Sequence, residues 1–329
     1  MNQSDSERRS RLLSVKLRTL VRDHLGLQAD PDGTPEVFPP GAAFVTDDAA
    51  WVLVDGDATR SLGAVIAWAS RFEKPIHLLV ERDSGMLVRR AAMFSVDITV
   101  WHVDDRLLLP AVREHHLDSP AAQPTHLAFT DLIAASGAEP LVEHGVVVGE
   151  VRGLEMCRVV DDAYTEQARL EVGMGAHDRE AFAMVHGDLP TEKALTQVID
   201  AVLQHRQVDA DQHPLNQYGV ERFYRWQALQ DPASIGFSSL EIIDPPVQRV
   251  NLKDAVPCAA LGVTTNDEQS VVVFVHGVDI DVVPFAVDAA SRMAVDRVAI
   301  VARTRDIRPS ITKLATMSVI PVAFTYLDA

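Results

Sequence analysis

Glu155, Glu171, His177 and Arg179 fall within the segment from Gly149 to Ala194, with Glu150, Asp178, Glu180 and His186 beside them and His213 following. Carboxylates, imidazoles and a guanidinium on strand ends and a helix start are residue types that can hold a metal, move a proton or bind phosphate. Asp178 reads as a helix N-cap, and the free amides of a helix N-terminus attract anions. Glu171, His177 and Glu180 could then face one metal, with His186 and His213 reaching the same pocket and the neighbouring glycines allowing close approach. No HExxH or comparable ligand spacing is present. The alternative is that Glu150, Glu155 and Glu171 are solvated strand faces, and that His177 is a hydrogen-bonder beside a cap.

Two other stretches could carry chemistry. The loop Val54-Asp55-Gly56-Asp57-Ala58-Thr59 leaves a strand at its carboxyl end, where open parallel sheets put their ligands. Asp55 and Asp57 are its candidate binding residues, and an Asx-turn or helix cap is their other reading. The segment 215–229 interleaves Asn216, Tyr218, Arg222, Phe223, Tyr224, Arg225 and Trp226. Aromatics with arginines can stack bases and hold phosphates, but the same spacing makes an amphipathic helix with its aromatics in a core.

Hydrophobic periodicity supplies the elements that must position these residues. From Ser6 to Leu25 the apolar residues Leu12, Leu13, Val15, Leu17, Leu20, Val21 and Leu25 recur at mostly helical spacing among six basic residues, Arg8 to Arg22. The resulting basic helix could dock on an acidic body or serve as an arm for a membrane surface or nucleic acid. A proline-rich linker follows. From Ala50 to Val103, AWVLVDG, IHLLVE and DITVWHV alternate with helices over 59–72 and 86–94, the pattern of βαβ units with a parallel sheet. SVVVFVHG, RVAIVAR and VIPVAFTYL repeat the plan with helices over 282–293 and 309–317, at an offset of about 221 residues. Between them, a helix over 127–136 precedes an antiparallel meander, followed by helices over 179–186, 192–206 and 215–229, with Thr191 and Pro214 as start signals.

Composition narrows the function classes. The 329 residues are 47% hydrophobic and 23% charged, which fits a globular chain of more than one domain. A formal charge of -17 opposes a duplex-binding surface, since phosphate affinity comes from clustered Lys and Arg. Two distant cysteines, Cys157 and Cys258, form no CxxC and point to a reduced cytoplasm. No apolar run reaches the roughly 18 residues of a membrane helix, so no membrane span is expected.

The order helix, three-stranded meander, helix resembles the core of the PD-(D/E)XK nuclease superfamily. That resemblance implies Mg²⁺ held by an acid late in the second strand and another in the third, here Glu155 and Glu171, with a lysine two residues further on. Gly173 stands at the lysine position, so the basic role would pass to His177 or Arg179. The Asp-x-Asp-x-Thr at Asp55 and Asp57 resembles the first motif of haloacid-dehalogenase-like phosphotransferases, without the later elements of that family. LEVGMGAHDREA and HPLNQYGVERF resemble an uncharacterised actinobacterial group and imply no activity.

The expected fold is α/β, with two similar Rossmann-like βαβαβ units (41–120 and 256–329) flanking a central α+β module (121–255), after an N-terminal helix and linker (1–40). The expected protein is a cytoplasmic homo-oligomer, a dimer. It would be a Mg²⁺-dependent phosphodiester hydrolase with Glu155 and Glu171 as ligands, or alternatively a non-catalytic assembly or ligand-binding protein. The further alternative is a phosphotransferase using Asp55 and Asp57.

Overall fold

The structure, a computed structural model, describes residues 3–39, 41–186, 191–207, 213–249, 251 and 254–327, without the side chains of residues 3, 4, 6, 176, 177, 183, 185 and 186. The chain is mixed α/β with three sheets. In chain order the first stretch holds α1 (Gln3–Leu25), β1 (Thr34–Glu36), β2 (Gly41–Val45), β3 (Ala50–Val54), α2 (Leu62–Ala69), β4 (Ile76–Val80), α3 (Ser84–Ala91), β5 (Ile98–Asp104) and β6 (Leu107–Pro110). The middle holds α4 (Pro124–Leu127), α5 (Thr130–Ala135), β7 (Glu139–Glu143), β8 (Val146–Val151), β9 (Leu154–Asp161), β10 (Ala168–Val172), α6 (Ala176–His186), α7 (Thr191–Leu203) and α8 (Val220–Gln230). Then come β11 (Ser239–Ile243), β12 (Cys258–Val263), β13 (Gln269–Phe274), α9 (Val282–Arg292), β14 (Val298–Ala302), α10 (Pro309–Thr316) and β15 (Val322–Tyr326).

Two compact units share these elements. One comprises residues 1–116, 278–298 and 305–323, and the other 117–277, 299–304 and 324–329. In the first, β1 to β6 form one sheet in sequence order, with β3, β4 and β5 parallel and the other pairings antiparallel. α1 lies on this sheet: Leu17, Leu20 and Val21 pack with Phe44, Trp51, Leu53 and Leu79. Val52 and Leu78, at alternate positions, are buried as well, as expected for a sheet covered on both faces. The basic helix is therefore docked, and its outer face carries Leu12 and Val15 to solvent.

Within the same unit Asp288 of α9 is wholly buried and meets two consecutive arginines of α3. Arg89 Nε donates at 2.9 Å and Arg90 Nε at 2.8 Å. Burial raises the Asp288 carboxyl pKa, and the Arg89 hydrogen bond and the Arg90 charge reverse that, so its net shift is downward. Such a pair costs several kcal/mol to desolvate and holds only when both partners are present.

The second unit contains two sheets. The meander runs β10-β9-β8-β7, with four antiparallel strands where the sequence suggests three. The extra strand arises because PLVEHGVVV turns back at His144-Gly145, both at positive φ (50° and 76°), which makes β7 and β8 a hairpin. Its core packs Val147, Val151, Leu154, Met156, Cys157, Val159, Leu170 and Val172 against Ile133 of α5 and Leu195, Ile199 and Val202 of α7. The other sheet runs β11-β12-β13-β14-β15. Val275 N–H donates to Val301 O, and Leu327 N–H to Ala302 O, which aligns the carboxyl ends of β13, β14 and β15 side by side. Among the described residues no helix is long and apolar enough to cross a membrane.

Candidate functional site

Strand alternation explains how the meander gathers its charges. β8 pairs with β9 through Gly149↔Cys157 and then Glu150↔Glu155, so β9 carries one extra residue at this point. A bulge of this kind shifts the alternation of side chains by one. Met156 and Cys157 both enter the apolar core, and Glu155 and Arg158, three apart, come to the opposite face. Glu139 and Glu150 are direct cross-strand partners, and Glu171 is opposite Arg158. One face of the sheet is apolar, and the other collects Glu139, Glu143, Glu150, Glu155, Arg158, Arg169 and Glu171.

The two sequence-predicted metal ligands do converge, but on a guanidinium. Arg179, on the first turns of α6, places Nη1 3.4 Å from Glu155 Oε1 and Nε 3.2 Å from Glu171 Oε2. Arg158 also holds Glu155 through Nε at 2.9 Å and Nη2 at 3.0 Å, and Arg169 holds Glu171 at 2.7 Å. Glu155 is buried, with 9% of its side chain exposed, so these cations supply the compensation that a metal would otherwise give. Gly173 takes φ 138°, and a Cβ there would come within 2.8 Å of Arg179 N. A lysine does not fit the position that the nuclease resemblance reserves for it.

The other candidates are placed as follows. Asp178 lies inside α6 and accepts from Met174 N–H at 2.8 Å, closing the turn before the helix. Glu180 is exposed. The side chains of His177 and His186 lie outside the described residues. His213 accepts from Leu215 N–H at 3.3 Å and stacks on His205 at 4.0 Å, which makes it a cap for the 3₁₀ turn Pro214–Gln217. In the first unit Asp57 accepts from Thr59 N–H at 2.9 Å and Thr59 hydroxyl at 2.5 Å, the Asx cap of the turn Ala58–Arg60. Asp55 pairs with Arg9 of α1 at 2.6 Å, in a small cleft at the carboxyl ends of β3 and β4 that also holds the Lys16–Glu81 pair. Among the described residues no group of three or more His, Cys, Asp or Glu side chains could hold a metal ion.

The arginine-aromatic helix α8 answers the rest of the carboxylate face. Arg222 donates from Nη1 to Glu150 at 2.9 Å and from Nη2 to Glu143 at 2.5 Å, and Arg225 donates to Glu150 at 3.2 Å. Trp226 donates its indole N–H to Glu139 at 2.7 Å. Burial would raise the Glu143 carboxyl, but Arg222 and Arg225 outweigh it and hold the group at about 2. Burial lowers the Arg222 pKa, and Glu143 with Glu150 reverses this to a net upward shift. On the opposite side of α8, Tyr224 and Ala228 join Ile235, Phe237, Cys258, Val272 and Phe274 in the core of the five-stranded sheet. The acids and the arginine-aromatic helix, read separately in the sequence, are largely each other's partners.

A cleft of about 440 Å³ opens beside α8, reaching Arg303 and Leu327 at the carboxyl ends of β14 and β15. Val220, Phe223 and Ile235 line it with the amides of Gln207, Asn216 and Gln227, and Arg206 borders it. Arg206 is committed to structure: it is buried and donates to the carbonyls of Arg152, Leu215, Tyr218 and Gly219. Burial lowers its pKa to about 10. Arg303 lies over the Tyr224 ring at 5.6 Å, and the Tyr224 hydroxyl is 3.1 Å from His276 Nδ1. This cleft escapes sequence reading because its walls come from α8, the turn 232–235 and two strand ends far apart in the chain. The signal available was the strand-end position of Arg303.

Comparison of the chain with protein-family models, curated proteins and solved structures returned no match.

Proposed function

We propose that the chain is a non-catalytic ligand-binding protein, in which the Glu155 and Glu171 carboxylates are structural and the βαβαβ segments are Rossmann-like copies of one another. The observation that carries this reading is Arg179, a guanidinium of the chain itself in contact with both acids. A Mg²⁺ ion shared by these acids needs oxygen ligands at about 2.1 Å in near-octahedral order. Arg179 and Arg158 would have to release the carboxylates first, leaving buried charges exchanged for one another at a desolvation cost. The cleft at the strand ends supplies a place for a ligand that needs none of these acids.

The test is a phosphodiester hydrolysis assay with Mg²⁺ or Mn²⁺ on plasmid DNA, RNA and a chromogenic diester, comparing wild type with Glu171→Gln. The expected outcome is no metal-dependent turnover in either. Turnover in wild type that Glu171→Gln abolishes would restore the hydrolase reading, with Glu155 and Glu171 as its ligands.

A further inference from the structure

We propose that the cleft beside α8 binds a nucleoside monophosphate, with Arg303 holding the phosphate and the Gln227 amide reading an edge of the base. This deepens the ligand-binding reading above and rests on it. Four observations point to this ligand class.

The first is an uncommitted cation. Among the described residues the Arg303 guanidinium has no hydrogen-bond or ion-pair partner, and it lies 5.6 Å from the centre of the Tyr224 ring. A guanidinium held by an aromatic face and by no hydrogen bond keeps its donors free, and arginine takes a phosphate through two such bonds. The second is position. Arg303 and Leu327 follow β14 and β15 directly, at the carboxyl ends where open α/β sheets bind their ligands.

The third is the wall. Val220 and Ile235, with the edge of Phe223, whose ring meets Arg206 at 5.3 Å and Trp226 at 5.6 Å, offer an apolar surface for a flat ring. No carboxylate lines the cleft among the described residues, although the chain carries a formal charge of -17. The charged side chains that line the cleft are Arg206, which is held by backbone carbonyls, and Arg303. The fourth is Gln227, whose side-chain amide has no partner among the described residues and presents one donor edge and one acceptor edge. A primary amide pairs with a base edge through two bonds. An anion without a ring would leave the apolar wall wet, and a neutral ring would leave Arg303 unused. The cleft volume of about 440 Å³ lies in the range of small-molecule sites.

The experiment is isothermal titration calorimetry of the full chain with AMP, GMP, CMP and UMP, and with adenosine and inorganic phosphate as half-ligands. The variants are Arg303→Gln and Gln227→Leu, whose folding is checked by thermal melts. At least one mononucleotide is expected to saturate the protein. Adenosine and phosphate alone should each bind at least about tenfold more weakly, and Arg303→Gln should weaken the mononucleotide by about tenfold or more. Gln227→Leu should change the preference among the four bases. Failure of all four to bind at millimolar concentration, equal affinity for phosphate, or affinity unchanged in Arg303→Gln would overturn the assignment. Chromatography of each titrated sample with Mg²⁺ separates this from the wider reading. A nucleotide that binds and is hydrolysed overturns the non-catalytic reading and leaves the cleft assigned. Phthalate is titrated as well, and its binding where no nucleotide binds overturns the nucleotide and keeps the ligand-binding reading.

Discussion

Arg158 holds Glu155 through two hydrogen bonds, Nε to Oε1 at 2.9 Å and Nη2 to Oε2 at 3.0 Å, although the two residues stand three apart on one strand. In a regular strand residues of odd separation point to opposite faces. The contact exists because β9 carries an extra residue against the Gly149–Glu150 step, which sends Met156 and Cys157 together into the core. The bulge converts what reads as a dispersed set of acids into a single charged face with arginine opposite acid. Bidentate geometry makes this a strong member of its class.

Glu155→Gln should therefore act as a stability mutation. It removes the charge that Arg158 and Arg179 share and leaves both guanidiniums under-compensated, one of them with 12% of its side chain exposed. A loss of about 3 kcal/mol in urea unfolding is expected. Added Mg²⁺ should leave the wild-type midpoint unchanged. A midpoint that rises with Mg²⁺ in wild type but not in Glu155→Gln would show the acid serving a metal.

Arg222 should be the most costly single charge in the second unit, since it lies buried between Glu143 and Glu150. Arg222→Met is expected to lose about 3–5 kcal/mol, because two carboxylates remain in a low-dielectric setting without their main partner. Combining it with Glu150→Met should lose less than the sum of the two single changes by about 1–3 kcal/mol. Additive losses in that double-mutant cycle would mean that the contact carries no coupling.

The N-terminal helix offers a test of docking against projection. Leu20 is 2% exposed and packs on the sheet, while Leu12 is 62% exposed on the same helix. Leu20→Ala should cost about 2–5 kcal/mol by transfer and cavity terms. Leu12→Ala should stay within about 0.5 kcal/mol of wild type in the same thermal or urea melts. Equal, small effects at both positions would mean that the helix is detached in solution.

Much of the framework was legible in the sequence. The strand-helix alternation of 50–103 and 269–326 appears with element ends shifted by a few residues, because periodic apolar patterns report burial more directly than they report caps. The cap reading of Asp57 also holds, since the Asx-turn needs only local chain geometry. The extra meander strand was missed because PLVEHGVVVGEVRG reads as one strand, although Glu143-His144-Gly145, which holds the turn between β7 and β8, interrupts its apolar residues. The burial of Glu143, Glu150 and Glu155 was not legible for a different reason. Carboxylates on strands read as solvated unless their partners are known, and the partners of Glu143 and Glu150 sit on α8, more than 60 residues away in the chain. The Arg179 bridge, only eight residues from Glu171, was closer to hand, but it required the bulge to bring Glu155 within reach.

Half-buried Glu143 and buried Asp281 should give the stability of the chain opposite pH dependences in two windows. Glu143 is held at about 2, below its ordinary value of 4.5, by Arg222 and Arg225 against burial. The unfolded chain binds this proton more readily, so the contribution is present above about pH 4.5 and is lost as the pH falls toward 2. Asp281, at the start of α9, has the reverse shift. Burial raises it to about 7 from 3.8, partly offset by the hydrogen bond it accepts from Gly63 N–H at 2.7 Å. The folded chain keeps this proton longer, so its contribution is present below about pH 4 and is lost as the pH rises through 7. Asp281→Asn keeps the acceptor for Gly63 and removes the titration. At pH 8 the variant should exceed wild type by on the order of 2–4 kcal/mol, and at pH 4 the two should be nearly equal. Glu143→Gln should lower stability at pH 7 and flatten its fall below pH 4. Urea unfolding of both variants across pH 3 to 8 checks the pair, and an Asp281→Asn advantage that grows toward acid instead of base would show that Asp281 is ionised in the folded chain.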